Sequence, residues 1–376
     1  MKKHVSCAHR RVQMSKILIS FAVAASFFML LLMPDVAIDY MKRGLQLCAS
    51  SVVPSLFPFM IISEIIVSSG MGKSISRFIT PVTKKLFGVG EGGACAFLLG
   101  SLCGFPIGAR AAAAMYDSGD VSDDELCRVM TFCNNPSPAF VISTVGASIL
   151  GRRDVGAVIY ASVVLSAVAV GIFANLLMHN GGTSASYKAP KNHAKTLPLS
   201  KIFTDAIRNS AMSMLNVCAY VTFFGTLVGC IKRIFSLIGG ARTLGTLLFG
   251  FFELSSGAAS AAELGGTFLC AVACALFSGW SGMSVHFQIM SAVDGRVKSF
   301  KPYFLAKAAQ AVLCAALAAF ALKFAFPAVC RDTSDVFGEI INGVTVNSGI
   351  KICLYFFVAS GAPFVVSALA KYKKCE

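Results

Sequence analysis

The chain has 376 residues, 56% hydrophobic and only 14% charged, against roughly 25% charged in an ordinary soluble domain. With a mean hydropathy of +0.73, this excludes a soluble globular, disordered or fibrous protein and points to a multi-span membrane protein. The net charge of +15 comes from 33 Lys+Arg over 18 Asp+Glu, and these cations flank apolar runs, as topology charges beside anionic headgroups do and a nucleic-acid surface does not.

Lys2, Lys3, Arg10, Arg11 and Lys16 precede an apolar run over residues 17–33. Pro34 and Asp35 follow it in place of a small-x-small cleavage site, so the run reads as an uncleaved first span. Further apolar segments follow at 54–70, 94–116, 126–150, 155–178, 211–231, 243–262, 267–292, 303–326 and 350–370, each long enough to enter a hydrocarbon layer about 30 Å thick. The polar stretch 179–201 is the linker, and it divides the chain nearly in half. The expected organisation is an N-terminal span and amphipathic segment (1–53), a first repeat (54–178), a cytoplasmic linker (179–201), a second repeat (202–327), and a C-terminal span with a basic tail (328–376). The 14 Cys are scattered singly through apolar stretches without CxxC or Cys/His ligand spacing. Cys270 and Cys274, one helical turn apart, read as small packing residues, and no disulfide framework or metal site is expected.

The two halves follow one order of elements. In each, a plain span is succeeded by a Gly/Ser-punctuated segment, an interrupted span and another plain span. The punctuated segments are centred on Gly104-Phe105-Pro106-Ile107-Gly108 and on Glu253-Leu254-Ser255-Ser256-Gly257, and the interruptions are Phe132-Cys133-Asn134-Asn135-Pro136-Ser137-Pro138-Ala139 and Phe277-Ser278-Gly279-Trp280-Ser281-Gly282-Met283-Ser284. Pro136 and Pro138 delete backbone donors, and a broken helix facing lipid leaves carbonyls unsatisfied, so such backbone belongs inside protein or beside a water-filled cavity. Half-helix ends at the gap also direct partial charges at it. The Lys/Arg distribution places both termini on the cytoplasmic side whether ten segments span or eight span with two re-entrant hairpins at 94–116 and 243–262. The hairpin layout is preferred, because the Gly-rich centres make poor mid-membrane helix. It also inverts the second half relative to the first. The expected fold class is therefore an all-α polytopic membrane protein of two inverted repeats, each with a re-entrant hairpin and an unwound helix.

Charges within these segments, Glu64, Arg110, Glu253, His286 and Lys307, are functional candidates by their cost in a bilayer. Glu253 with Ser255 and Ser256 offers a carboxylate and two hydroxyls at a hairpin tip, or else a carboxylate bound to a helix N-terminus. Arg110 offers a planar cation suited to carboxylates, or else a topology charge. Asn134, Asn135 and Ser137 at one break, and Ser281, Ser284, His286 and Gln288 at the other, supply neutral donors and acceptors. Glu64 and Lys307 read as structural pairs or snorkelling groups. Gly279-Trp280-Ser281-Gly282 fits the pattern around an intramembrane protease serine, but His286 lies five residues on, about 140° around the same helix. No enzyme, metal or cofactor is expected. The acidic run from Asp117 to Glu125 reads as a solvated loop with a cap for the next helix.

Gly104-Phe105-Pro106-Ile107-Gly108-Ala109-Arg110, Asn135-Pro136-Ser137-Pro138-Ala139-Phe140 and Phe277-Ser278-Gly279 with Ser284-Val285-His286-Phe287-Gln288 resemble the YlbJ (SpoVV) type of sporulation integral membrane protein. That family belongs to the nucleoside-recognition "Gate" domain group, similar in architecture to concentrative nucleoside transporters. Phe105 and Arg110 stand where many members carry Tyr and Lys. The resemblance implies two inverted repeats and a role in moving dipicolinate across the outer forespore membrane. It implies that solute meets the hairpin tips and broken helices, here Gly104, Phe105, Pro106, Gly108, Arg110, Asn134, Asn135, Ser137, Glu253, Ser255, Ser256, Ser281, Ser284, His286 and Gln288. The expected function is secondary transport of a small organic anion such as dipicolinate, coupled to a sodium ion or a proton. The alternatives are a nucleoside-like solute and a non-transporting sporulation scaffold. The expected partners are the lipid bilayer of a bacterial cell membrane and the solute, with a homo-oligomer left open.

Overall fold

A computed structural model describes residues 17, 20–178, 198–239 and 242–325. Every regular element among them is helical. Helix α1 covers Ser20–Leu32. Helices α2 (Pro34–Leu47) and α3 (Val53–Ser68) are joined by a π-helical turn, Cys48–Val52, and short α4 (Met71–Ser76) and α5 (Thr80–Phe87) lead into α6 (Glu91–Cys103) and α7 (Ile107–Asp117). Then come α8 (Asp123–Met130), a π-helix over Ala139–Ile149, α9 (Arg153–Met178) and α10 (Leu199–Leu237). The second half continues with α11 (Arg242–Phe252), α12 (Leu254–Ala262), α13 (Thr267–Trp280), α14 (Met283–Ala292) and α15 (Lys301–Ala325).

Five helical units are long and apolar enough to cross a membrane: Pro34–Ser68, Arg153–Met178, Leu199–Leu237, Thr267–Ala292 and Lys301–Phe324. A sixth is added if Thr80–Phe87 and Glu91–Cys103, bent by 97°, count as one span. The eight-span layout differs from this in identifiable places. Residues 34–53, expected as the amphipathic segment, merge with the span expected at 54–70 into one unit, Pro34–Ser68, because the π-turn before Pro54 absorbs the carbonyl clash that a proline imposes on a regular α-helix. The expected 126–150 span is instead an eight-residue helix, a break and an 11-residue π-helix. The run at 17–33 is helical over Ser20–Leu32. The segment 350–370, the basic tail, most of the linker and residues 1–16 lie outside the described residues. Helix α10 begins at Leu199 and runs for 39 residues, about 58 Å at 1.5 Å per residue and so well beyond the hydrocarbon thickness.

Both Gly-punctuated segments are helix–break–helix hairpins. In the first, α6 and α7 cross at Gly100 and Gly108, where a Cβ on Gly108 would lie 2.9 Å from the Gly100 Cα. In the second, α11 and α12 cross at Gly250 and Gly257, and a Cβ on Gly257 would overlap the Gly250 Cα. Each crossing is filled from the neighbouring broken span: the Cys133 carbonyl sits against Gly100 and Gly108, and the Phe277 ring against Gly250 and Gly257. Helix α13 is packed between α9 and α15 through small residues such as Ala271, Cys274, Ala275, Cys314 and Ala318. Helix α10 runs along α2, approaching it closely where the Tyr40 ring lies on Gly229 and Gly44 meets Thr222. Large apolar side chains including Phe21, Leu32, Leu176, Leu177, Phe320 and Phe324 remain exposed, the pattern of a lipid-facing surface.

Candidate functional site

Each hairpin tip meets a break through one glycine in left-handed conformation. Gly104, at φ 91°, ends α6, and a Cβ there would lie 2.9 Å from the Ser137 nitrogen. Gly282, at φ 82°, opens α14, and a Cβ there would lie 3.0 Å from the Leu254 nitrogen and 3.3 Å from the Glu253 Cα. Only glycine combines that backbone with that proximity. The first hairpin is thus seated on the first break and the second hairpin on the second.

These four elements line one buried crevice. Phe105 comes from the first tip, Ser137 and Phe140 from the first break, Glu253, Leu254 and Ser255 from the second tip, and Ser284, Val285 and Gln288 from the start of α14. Val52 and Leu56, with Val217 and Val221 of α10, close it with apolar surface. Its volume is about 40 Å³, room for a few waters.

Glu253 is 4% exposed and extended. Its carboxylate accepts from the Ser255 nitrogen at 2.9 Å and the Ser256 nitrogen at 2.6 Å, so it caps α12 at the edge of the crevice that Glu253 lines. The cap satisfies two orphan donors and complements the helix dipole. Across the crevice, Gln288 Nε2 donates to Ser284 Oγ at 3.4 Å, while the buried Gln288 Oε1 has no protein partner.

The first break is held from its other side. In a continuous helix the Phe132 carbonyl would accept from residue 136 and the Asn134 carbonyl from residue 138, and both of those residues are proline. The Phe132 carbonyl accepts instead from Asn135 Nδ2 at 2.9 Å, and the Asn134 carbonyl from Lys307 Nζ at 3.0 Å. Lys307 Nζ also donates to Gln310 Oε1 at 2.9 Å, and Gln310 Nε2 donates to Asn135 Oδ1 at 2.7 Å. The second break spans only Ser281 and Gly282. Ser281 takes φ 79° as the C-cap of α13, and its nitrogen donates to the Phe277 carbonyl at 2.7 Å.

Of the residues expected at the site, Phe105, Ser137, Glu253, Ser255, Ser284 and Gln288 therefore meet at one crevice. Gly104 seats the first tip, Pro106 caps α7 and Gly108 forms the hairpin crossing. Ser256 contributes its backbone nitrogen to Glu253. Asn135 bonds to Gln310, while the Asn134 side chain donates back to the Met130 carbonyl at 3.4 Å and its buried Oδ1 has no protein partner, only its backbone carbonyl meeting Lys307. His286 is fully buried, with Nδ1 2.6 Å from the Tyr303 hydroxyl and its ring against Trp280; its hydrogen-bonded partner is thus Tyr303, not Ser281. Arg110 lies in a separate crevice with Met60, Ser63 and Glu64. Its guanidinium pairs with Glu64 at 2.8 Å, and Asn209 Nδ2 donates to the same carboxylate at 3.2 Å. Sequence reasoning gave Lys307 a structural role and passed over Gln310. The available signal was a lysine and a glutamine three apart, hence on one helix face, inside an apolar run.

Compared with known proteins, the chain is 24% identical to the sporulation integral membrane protein YlbJ of Bacillus subtilis (strain 168) over 394 aligned positions, covering 90% of this chain and 95% of that protein. No family model matches the chain, and no solved structure matches it. Apolar helices of spanning length and this end-to-end similarity place the chain in a lipid bilayer, as a protein similar to an integral membrane protein of sporulation.

Proposed function

We propose that the chain is a secondary transporter for a small organic solute, held at the crevice between the two hairpin tips and the two breaks. The observation carrying this reading is the convergence of four interrupted elements on one largely apolar crevice whose lining includes the buried Glu253 and Gln288, the amide oxygen of Gln288 being unpartnered. Irregular backbone at membrane depth is tolerated where it lines a binding cavity. Because the crevice takes only a few waters, solute entry requires the tips to part from the breaks. The halves then form two inverted repeats whose relative movement exposes the site to either side.

The similarity to a sporulation protein makes dipicolinate the first solute to test. A second solute class is favoured by Glu253: it lines the crevice, while the Arg110 charge is matched by Glu64 elsewhere. Such a lining suits a neutral, donor-rich, nucleoside-like solute, or an anion that enters with a proton or cation. Uptake into proteoliposomes is measured for labelled dipicolinate and for uridine. Transport of either, reduced about tenfold or more by Gln288→Leu, supports the reading. Uptake of neither by folded protein favours the scaffold alternative.

A further inference from the structure

Lys307 is 1% exposed and Gln310 fully buried. Among the described residues no carboxylate pairs with Lys307. An ammonium taken out of water without a counter-charge is costly, so a charged Lys307 calls for acceptors that favour a cation. Both of its acceptors are neutral oxygens, the carbonyl orphaned by Pro138 and the amide oxygen of Gln310. The Asn134 carbonyl lies just past α8, where the C-terminal end of the helix carries partial negative charge. Gln310 is held in place by its own donation to Asn135 Oδ1 and to the Val163 carbonyl, at 2.7 and 3.4 Å, so its oxygen stays turned toward Lys307.

We propose that this set of oxygens is a monovalent-cation site whose occupant, in this chain, is the tethered ammonium of Lys307. Carbonyl and amide oxygens without a carboxylate form a hard, neutral donor set, suited to an ion of single charge. Shortening Lys307 removes the resident charge and leaves a polar space on the same oxygens for a free cation. Methylammonium fits best, because it restores the N–H donors, and sodium or potassium follows. On the transport reading above, on which this consequence rests, uptake by the unmodified chain proceeds without sodium, and shortening Lys307 makes it cation-dependent.

The site is tested without transport. Purified full-length protein and Lys307→Ala are melted in detergent with equal concentrations of methylammonium, sodium, potassium or choline chloride. The unmodified protein should melt at one temperature in all four salts. Lys307→Ala should melt lower in choline and recover about 2 °C in methylammonium at ten times its dissociation constant. Lys307→Met, which fills the space with an apolar chain, should show no such preference. If Lys307→Ala does not fold, Lys307→Ser carries the same comparison. A variant indifferent to cation identity overturns the proposal, as does failure of both variants to fold even when extracted in methylammonium. Lack of uptake by a folded, cation-responsive variant counts instead against the transport reading.

Discussion

The two breaks solve one problem by different means. The first is long and made by proline, so two carbonyls lose their helical donors, and side chains have to meet them: Asn135 of the break itself for Phe132, and distant Lys307 for Asn134. The second is two residues long and made by backbone torsion, Ser281 and Gly282 both at positive φ, so Ser281 still donates to Phe277 and no distant side chain is needed. A proline break fixes its surroundings by demanding partners, whereas a glycine break leaves its neighbours available. The polar groups past the second break, Ser284 and Gln288, accordingly line the crevice, where Ser137 from the end of the first break joins them, while Asn135 and the Asn134 carbonyl are committed to α15.

The hairpin crossings, where the two halves agree, give the largest expected effect. A Cβ on Gly100 would overlap the Cys133 carbonyl, and one on Gly257 would overlap the Gly250 Cα. Backbone meets backbone at both, so neither relaxes by a side-chain rotation. Gly100→Ala and Gly257→Ala should each cost about 3 kcal/mol or more, read as loss of folded protein by size-exclusion chromatography. Gly225→Ala is the control, since nothing lies within 4 Å of its Cβ position. That helix-interior change should stabilise by up to about 1 kcal/mol. If Gly257→Ala behaves like Gly225→Ala, the second hairpin does not cross as described.

The next effect separates the breaks. Gln310→Leu leaves the Lys307 ammonium with the Asn134 carbonyl and strips Asn135 Oδ1 of its donor, so two buried polar groups lose a partner. The expected loss is about 3 kcal/mol. Ser281→Gly should act in the opposite direction, gaining about 1 kcal/mol, because a serine at φ 79° carries a strain that glycine does not. Thermal melting of both variants in one detergent checks the pair. Equal effects of one sign would erase the distinction between the two breaks.

That distinction was only partly legible in the sequence. The breaks announce themselves, since Asn-Asn-Pro-Ser-Pro and Gly-Trp-Ser-Gly interrupt apolar runs, and the hairpins follow from glycines placed on both sides of a tip. Composition does not say where a polar side chain turns. Arg110 finds Glu64, which lies 46 positions away, and Asn135 finds Gln310, which lies 175 away; both are tertiary pairings that local spacing does not encode. The extent of α10 was missed because its first turns carry Lys201, Asp205 and Arg208, which end a hydropathy run without ending a helix. The merged α2–α3 unit was missed because a π-turn carries the chain past Pro54, where proline is ordinarily a stop.

A smaller effect tests the tips. Phe105 brings no charge to the crevice and Glu253 does. Glu253→Gln keeps one acceptor for the α12 nitrogens but loses the charge that complements the helix dipole, so stability should fall by about 1 kcal/mol. The larger change is expected in uptake, whose dependence on the proton should weaken or vanish. Unchanged uptake and ion dependence would confine Glu253 to its capping role.

The smallest effect concerns the ends of the halves. Arg296 pairs with Asp117 through two hydrogen bonds of 2.8 Å, and Lys298 meets Asp123 at 2.6 Å, so the 294–298 turn is tied to the segment between α7 and α8. These pairs are exposed, and exposed pairs contribute little. The Lys298 ammonium, and after it the Tyr116 hydroxyl, hold the Asp123 carboxyl below its ordinary value. A carboxyl depressed in the folded state adds stability above its unfolded pKa, near 4, and loses it as pH falls through the lower folded value. Asp123→Asn should therefore lower the melting temperature by about 1 °C at pH 7 and by nothing measurable once pH has fallen below the folded value and both states are protonated. About 1 M salt should shrink the neutral-pH difference as well. The Gln310→Leu loss should persist in that salt, since its groups are buried beyond the reach of mobile ions. A salt-sensitive Gln310→Leu loss would mean that solvent enters the first break, and the contrast between pinned and open breaks would then fail at its base.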